Sequence, residues 1–274
     1  MLLRGPSAKI VPLEGDSFRF DCQPGLTCFG RCCSDLTLLL MPYDVLRLRA
    51  HLKLGSAELL ERFTETLVDS DTGVPRVQLK MLEEEEKRCP FLGRAGCTVY
   101  DHRPGACRIF PIGRAAAAGG AAALGRARIA ESGVREQFFL VQEEVCTGFA
   151  EEREWSIDRW LDDQGMRLYN AQNDRWLGVF TRLPTLADDP NAEARFSMFR
   201  TAGYDLDRFR VLITGEAFTS RFEIQPERVA RLRESDEALL DFAVDWLGFA
   251  LFGDQTIAPS APSEGTSLRS GCRK

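Results

Sequence analysis

Only two histidines, His51 and His102, occur among the 274 residues. Because imidazole is the commonest metal ligand in proteins, two of them are too few to build a mixed histidine site. His102 could still add one ligand to a neighbouring site. The commoner alternative is a surface or hydrogen-bonding histidine, and we favour that interpretation.

Signals for a membrane, for secretion and for nucleic acid are also lacking. No run of 18 apolar residues is present, so we expect no membrane-spanning segment. The first 17 residues lack the apolar stretch of a secretory signal, which predicts a cytoplasmic protein. A net charge of −6 and a pI near 5.2 give non-specific nucleic-acid binding no electrostatic basis.

No glycine-rich strand–loop–helix that could hold a nucleotide-like cofactor is recognisable. The C-x3-C-x2-C spacing typical of a radical iron–sulfur enzyme is missing as well. Hydrophobic residues make up 44% and charged residues 28%, so a sizeable core can form without disulfides. These absences favour a soluble globular protein over a small disulfide-held domain.

Cysteine, in contrast, is abundant and concentrated. Eight of the nine cysteines lie in one stretch: Cys22, Cys28, Cys32, Cys33, Cys89, Cys97, Cys107 and Cys146. Thiolates are soft ligands that select zinc, copper(I) or iron–sulfur clusters. We therefore predict that these eight hold metal, and we exclude Cys272 because it lies in a Ser- and Pro-rich tail.

The number and kind of metal stay open at this point. Eight thiolates could hold two tetrahedral zinc ions, or four could hold a 4Fe-4S cluster and leave four over. Cys32 and Cys33 are adjacent, and successive side chains of an extended chain point to opposite faces. This favours two sites, or two corners of one cluster. Four disulfides are the weaker alternative, given a reducing cytosol.

The second cysteine block carries a local signature, Cys-Pro-Phe-Leu-x4-Cys-x-Val-Tyr-x2-Arg-Pro-x2-Cys-Arg-x-Phe-Pro, over residues 89–111. Prolines 90 and 104 fix turns that aim the next cysteine. Arg103 and Arg108 could donate hydrogen bonds to sulfur and offset its negative charge. The alternative for each arginine is a surface salt bridge.

These motifs resemble the YkgJ-type CxxCxxCC cysteine-cluster family, described as zinc- or iron-chelating domains. The resemblance covers residues 18–149 and includes all eight cysteines, the Cys-Cys pair, the Cys-Arg-x-Phe-Pro element and a final Cys146-x-Gly148-Phe149. The first block reads C-x5-C-x3-C-C, which is longer than the family's short form. That spacing is more similar to the flagellin lysine-N-methylase branch, which the resemblance associates with an iron–sulfur cluster and S-adenosylmethionine.

Three functions therefore compete. The favoured one is a non-catalytic metal-binding protein, with zinc or iron organising the fold and the helical half contacting a partner protein. The second is an iron–sulfur-dependent protein-lysine N-methyltransferase, for which S-adenosylmethionine would be the cofactor. The third is a metal chaperone or redox sensor, which needs a labile site with reactive thiols. A Trp155-Ser-Ile-x2-Trp-Leu-x-Asp-Gln-Gly165 motif, continuing to Tyr169-x3-Asn173, has no role that the sequence reveals.

The expected fold is α+β and mostly α. We predict a metal-organised cysteine-cluster domain with short strands and a hairpin over 1–150, a helical region packed on it over 151–254, and a disordered tail over 255–274. Helices are predicted from Pro42, from Ser56 as N-cap, and over residues 155–161, 168–180, 192–202, 206–214, 226–233 and 237–252. Strands are predicted near 18–20 and at 74–81, with a hairpin over 126–141 and a loop over 115–124.

Overall fold

The structure is a computed structural model that describes residues 8–117 and 127–260. It has mixed α and β structure with helix predominating, which confirms the predicted fold class. The strands are short and lie almost entirely in the cysteine-containing part. They are β1 (Lys9–Pro12), β2 (Ser17–Arg19), β3 (Thr64–Val68), β4 (Pro75–Leu79), β5 (Leu92–Gly93), β6 (Gly96–Cys97), β7 (Ile112–Ala117), β8 (Ala127–Ile129), β9 (Arg135–Gln142) and β10 (Glu154–Ser156).

The helices alternate with these strands at first and then follow one another without interruption. They are α1 (Pro42–Leu52), α2 (Ser56–Phe63), α3 (Gly105–Ile109), α4 (Ile157–Asp163), α5 (Met166–Phe180), α6 (Ala192–Tyr204), α7 (Leu206–Thr214), α8 (Glu216–Thr219), α9 (Pro226–Glu234) and α10 (Asp236–Phe252). Every helix predicted from periodicity is present within two or three residues of its expected ends. Pro42 opens α1, as predicted, because its fixed φ suits a first helical turn.

The largest sheet is built around β9. β7 pairs antiparallel with one edge of β9. β1 and β8 pair with the other edge, β1 along the C-terminal half of β9 and β8 along its N-terminal half. The predicted hairpin over 126–141 is therefore present as β8 and β9, but β9 is the centre of a sheet and not one arm of an isolated hairpin. β9 leads directly into the segment that carries Cys146.

Smaller strand pairs connect distant parts of the chain. β2 pairs with β10, so that Phe18 lies opposite Trp155 and the N-terminal segment is fixed to the start of the helical part. β3 pairs with β4, and β5 pairs with β6 in a two-residue hairpin that ends at Cys97. These pairings hold the loops that contain the cysteines.

Three local expectations were wrong, and one strand was missed. Residues 115–117 belong to β7 and not to a loop, because β9 supplies backbone partners for them; residues 118–124 lie outside the described part. β3 was not predicted at all. Gly55 is the N-cap of α2, and Ser56 is its first residue. In the tail, residues 255–260 are packed: Glu223 donates its N–H to the Ala258 carbonyl, and Ile257 is 7% exposed.

One hydrophobic core includes residues from both sides of position 150, among them Phe20, Leu48, Ile112, Trp176 and Phe242. Six phenylalanine and tryptophan side chains of the helical part are buried in this core: Trp155, Trp160, Trp176, Phe199, Phe209 and Phe242. Others are partly buried against it, among them Phe180, Phe196, Trp246, Phe249 and Phe252. The division into a domain ending at 150 and a helical region remains a prediction.

A buried charge network links the sheet to the helical part. Arg114 of β7 donates to Glu136 of β9 at 2.5 Å and makes two hydrogen bonds, of 2.6 and 2.8 Å, to Asp174 of α5. The three side chains are only 7%, 5% and 4% exposed.

Within residues 8–117 and 127–260 we find no helix with the length and apolarity needed to cross a bilayer.

Candidate metal centre

The eight predicted ligands lie on loops and very short elements. Cys22 and Cys28 lie in the loop after β2, Cys32 and Cys33 in a 3-10 turn (Arg31–Cys33), Cys89 just before β5, Cys97 in β6, Cys107 in α3, and Cys146 after β9. All eight are thiols, with no disulfide joining any of them. The disulfide alternative is thus not what the structure shows.

Four of the thiols form one neighbourhood, which we call the first set: Cys22, Cys28, Cys32 and Cys146. The pKa of Cys22 is raised to about 11, mainly by loss of solvation and in addition by electrostatic interaction with Cys32, Cys146 and Cys28. Burial likewise raises the pKa of Cys146, which interacts with Cys28 and Cys32. Cys22 and Cys146 therefore each lie close enough to Cys28, to Cys32 and to one another for ionisation of one thiol to oppose ionisation of the next.

Cys28 differs from its neighbours because Thr147 donates to it. Its sulfur lies 3.1 Å from the Thr147 hydroxyl and accepts the Thr147 backbone N–H at 3.4 Å. Burial raises the pKa of Cys28, but these hydrogen bonds, with one from Gly148, outweigh burial and leave the pKa below its ordinary value. Hydrogen bonds to the charged form stabilise a thiolate, which is the form that binds metal.

The other four thiols form a second set: Cys33, Cys89, Cys97 and Cys107. The hydrogen bond with Cys32 raises the pKa of Cys33, and burial and the charges at Cys107 and Cys89 raise it further. Burial raises the pKa of Cys89 to about 11, with Cys97 adding to the effect. The backbone supports this grouping, since Cys89 donates its N–H to the Cys33 carbonyl at 2.8 Å.

The adjacent pair is the point where the two sets meet. Cys32 and Cys33 occupy the single 3-10 turn that follows Gly30, and Gly30 has φ of 80°, a left-handed conformation that favours glycine. Cys32 interacts with Cys22 and Cys146, and Cys33 interacts with Cys89 and Cys107. That the two cysteines serve different ions, or different corners of one cluster, stays a prediction.

The eight thiols lie near one another, but their sulfur atoms do not surround a common position that a metal ion could occupy. Among the residues described, no three Cys, His, Asp or Glu side chains are arranged as a group that could hold a metal ion. The donor chemistry nevertheless fits a thiophilic metal, since all eight cysteines are free thiols and thiolates are soft ligands. Their mutual opposition to ionisation is what a bound cation would relieve.

Gly148 determines how closely the two ends of the first set approach. Asp21 donates its N–H to the Gly148 carbonyl at 3.1 Å, which brings the residue before Cys22 against the turn after Cys146. A Cβ at position 148 would lie 2.4 Å from the Asp21 carbonyl oxygen and 2.8 Å from the Phe20 ring. Only glycine fits, because a side chain would push against backbone that cannot move without displacing Cys22.

Gly148→Ala is therefore expected to separate Cys22 from Cys146 and to destabilise the fold by about 1–3 kcal/mol, the range for overpacking. Metal content and the midpoint of chemical unfolding measure the two effects. Gly178→Ala is the matched control, since a Cβ there meets nothing within 4 Å and replaces a helical glycine. It should retain metal and gain about 0.5–1 kcal/mol. Equal behaviour of the two variants would contradict the assigned role of Gly148.

Three packed aromatic rings each lie two or three residues along the chain from one of the cysteines Cys22, Cys107 and Cys146. Phe20 packs edge-to-face with Phe110 and Phe149, with ring centroids 5.6 and 5.3 Å apart. These rings precede Cys22 by two residues, follow Cys107 by three and follow Cys146 by three. They therefore join the three segments through an apolar contact.

The tryptophan motif, to which the sequence assigned no role, holds these same segments. Trp155 donates its indole N–H to the carbonyl of Phe20, and Trp160 donates to the carbonyl of Ile109, both at 3.0 Å. Phe20 lies just before Cys22 and Ile109 just after Cys107. Each tryptophan therefore fixes the backbone beside one cysteine of a different set.

Gln164, at the end of the same motif, holds the two arginines of the second block. Arg103 is 8% exposed, donates to the Gln164 side chain and lies over the Tyr100 ring at 3.8 Å. Arg108 donates to the carbonyls of Gln164 and Asp101 at 2.6 and 2.7 Å. Arg103 also interacts electrostatically with Cys107 and Cys97, so its charge lies near the second set. The action of either arginine on bound sulfur stays a prediction.

Asp44 of α1 fixes the start of α3, the helix that carries Cys107. It is 1% exposed and accepts the backbone N–H groups of Met41 and Gly105, both at 2.8 Å. Burial raises its pKa to about 6, although both hydrogen bonds and the charge of Arg108 act in the opposite direction. Folding thus favours the protonated carboxyl relative to the unfolded chain.

The raised pKa of Asp44 predicts the direction in which the free energy of unfolding changes with pH. Between the unfolded value of 3.8 and about 6 the folded state binds more protons, so the contribution of Asp44 falls as pH rises. Asp44→Asn removes that term. The free energy of unfolding of the wild type, relative to Asp44→Asn, should therefore fall by about 1 kcal/mol between pH 5 and 7.5. Urea titrations of both proteins at each pH measure this, and a constant difference would contradict it.

The two histidines lie against each other. His51 and His102 stack with ring centroids 4.4 Å apart, and Arg47 lies 3.1 Å from Nδ1 of His102. Burial, Arg47 and His51 lower the pKa of His102. This supports the hydrogen-bonding interpretation of His102 over a ligand role.

Sequence reasoning missed Thr147, Gly148 in its packing role, Gln164 and Asp44. Thr147 and Gly148 directly follow Cys146, so their proximity to a ligand was a usable signal. Gln164 and Asp44 act across 50 residues or more, and no local pattern indicates such contacts.

Comparison with known proteins gives one match. Residues 21–152 match the model of the CxxCxxCC family, whose description is "Putative zinc- or iron-chelating domain". The match includes all eight clustered cysteines and ends two residues before β10. Neither the curated proteins nor the solved structures contain a significant match to the chain.

Proposed function

Because residues 21–152 match the model of the CxxCxxCC family, we propose that the eight clustered cysteines bind two zinc or iron ions, four to each set. Cys22, Cys28, Cys32 and Cys146 would hold one ion, and Cys33, Cys89, Cys97 and Cys107 the other. Four thiolates are the usual ligand set of a structural zinc site. The family description supports the metal-binding class, and the assignment of the ligands is our own.

The observation that carries this proposal is the division at Cys32 and Cys33. Cys33 interacts most strongly with Cys32 and then with Cys107 and Cys89, whereas Cys32 also interacts with Cys22 and Cys146. The two adjacent residues thus have further partners in different groups of cysteines, which supports two sites that meet at this pair. Closing either set requires its side chains to turn toward a common point, because the present positions do not surround one. Such a rearrangement is compatible with sites on loops, where metal binding and local folding are coupled.

A structural role follows from where the two sets lie. The first joins the loop after β2 to the segment after β9, and the second joins the 3-10 turn to β6 and α3. Cys22 and Cys146, which are 124 positions apart in the chain, would thus be connected through a shared metal ion. The methyltransferase and the chaperone or redox-sensor functions remain alternatives that the sequence raised, and no feature of the described residues favours either.

Elemental analysis of protein purified without oxygen tests the proposal. We expect two equivalents of metal per chain, either zinc in a colourless protein or iron in a coloured one. Chelation should release the metal and expose eight additional reactive thiols. Protein that is folded, free of metal and unable to take up zinc or ferrous iron would refute it.

A further inference from the structure

The dipeptide Cys-Thr occurs once in each cysteine set, as Cys97-Thr98 in the second and as Cys146-Thr147 in the first. The two threonines use their hydroxyl groups differently. Thr98 donates its hydroxyl to the Phe91 carbonyl at 3.0 Å, whereas the Thr147 hydroxyl lies 3.1 Å from the sulfur of Cys28. The same dipeptide therefore places a hydroxyl on a sulfur in the first set and on a backbone carbonyl in the second.

Thr147 brings two polar groups to one sulfur atom. Its backbone N–H donates to Cys28 Sγ at 3.4 Å, in addition to the contact of its hydroxyl. A thiolate has no proton, so in the metal-binding form of Cys28 both groups of Thr147 are donors. Hydrogen bonds to an ionised acceptor are roughly twice as strong as those between neutral groups. One residue thus holds this sulfur from two directions.

The surroundings of the two residues make the hydroxyl more than a packing group. Cys28 is only 9% exposed, and a buried charge is costly unless the protein supplies hydrogen bonds to it. Thr147 itself is exposed, so removing its hydroxyl leaves no hole in the hydrophobic core. The hydroxyl therefore acts on the sulfur and not on the packing of the fold.

Thr147 also connects ligands that are distant in the chain. It directly follows Cys146 and lies 119 positions from Cys28. Cys146 forms a hydrogen bond with Cys28 as well. The next residue, Gly148, accepts the N–H of Asp21, which precedes Cys22. The turn over residues 146–148 thus holds three members of the first set near one another.

We propose that Thr147 is a positioning residue for the metal ion of the first set, and that its hydroxyl strengthens metal binding at this set alone. The inference rests on the function proposed above, because it needs four thiolates around one ion. Four thiolates give a divalent ion an excess of negative charge, and a donor to one sulfur offsets part of it. In the second set a different group lies near the sulfurs, since Arg103 interacts electrostatically with Cys97 and Cys107.

Competition between the protein and a chromophoric chelator tests the proposal, with zinc, or with ferrous iron if elemental analysis finds iron. Thr147→Val replaces the hydroxyl by a methyl group of similar size. In the full chain it should weaken one of the two ions at least about tenfold, the usual cost of losing a hydrogen bond to a metal ligand. The other ion should keep its affinity within about twofold, because its ligands make no contact with the Thr147 hydroxyl.

Two backgrounds identify the affected ion. Cys33→Ser leaves the first set complete, and in this background Thr147→Val should weaken the remaining ion by the same factor. Cys22→Ser leaves the second set complete, and there Thr147→Val should have no effect. A loss in the Cys22→Ser background instead would place the action of Thr147 on the wrong set and overturn the proposal.

Two further variants separate hydrogen bonding from packing. Thr147→Ser keeps the hydroxyl and loses the methyl group, so it should retain the wild-type affinity for both ions. A packing role predicts the opposite order, with valine tolerated and serine not. Thr98→Val is the matched control, because it makes the same replacement after a cysteine of the second set without removing a donor to sulfur. It should leave the affinity of the first ion unchanged.

The proposal is overturned if Thr147→Val binds both ions as tightly as the wild type, if both ions are weakened equally, or if Thr147→Ser loses as much affinity as Thr147→Val. Each of these results leaves two bound ions, and with them the function proposed for the cysteines, in place. A wild-type chain that takes up neither zinc nor ferrous iron refutes that function and this inference together.

Discussion

Cys33→Ser should leave the chain with one bound metal ion instead of two. A serine hydroxyl is not ionised near neutral pH and is a hard donor, so the second set would keep three thiolates and lose its ion. Because site formation and folding are coupled, the segment around Cys89, Cys97 and Cys107 should lose order. We expect the melting temperature to fall by more than about 10 °C. Metal analysis and calorimetry measure the two effects.

The control variants distinguish two separate metal sites from a single cluster that all eight thiols share. Cys22→Ser should lose the other ion, and the double variant should lose both. Cys272→Ser, at a position outside the described residues, should keep two ions and an unchanged melting temperature. If Cys33→Ser releases all metal at once, the eight thiols hold a single cluster. If it keeps two ions and the wild-type melting temperature, Cys33 is not a ligand.

Arg114→Leu should destabilise the protein by about 3–5 kcal/mol, the cost of leaving buried charges without a partner. Arg114 lies between Glu136 and Asp174, so its loss leaves Asp174 buried without a cation and leaves Glu136 only the partly exposed Arg128. The free energy of unfolding from urea titration measures the effect. Metal content should change less than in Cys33→Ser, since the network contains no cysteine.

Arg128→Leu is the control for this network. Arg128 also donates to Glu136, at 2.7 Å, but its side chain is 35% exposed. Exposed pairs contribute about 0–1 kcal/mol. Replacing Arg114, Glu136 and Asp174 together by apolar residues should recover much of the loss, because no buried charge then remains unpaired. Similar costs for the two single variants would mean that the network is not a buried connection.

The helices were predictable because their signals are local. Pro42 at the first turn, Gly253 after α10 and apolar residues at helical spacing define each helix within a few residues along the chain. Strands were harder. β7 has an alanine-rich end that resembles a flexible loop, and only its pairing with β9 makes it a strand.

The candidate site was predictable in composition and not in arrangement. The eight cysteines, and the divergence of Cys32 from Cys33, follow from residue types and from adjacency. Which cysteines are neighbours depends on contacts across the chain, such as the hydrogen bonds that join Asp21 to Gly148 and Cys89 to Cys33. The tryptophan motif illustrates the same limit, since the partners of Trp155 and Trp160 are carbonyl groups 135 and 51 residues away.

The central claim is that two sets of four sulfurs each surround one metal ion. X-ray absorption at the edge of the metal found by elemental analysis tests it most directly. The account predicts four sulfur neighbours per metal, at about 2.3 Å if the metal is zinc, and no second metal within bonding range. A first shell made of nitrogen or oxygen, or a short metal–metal distance, would contradict it.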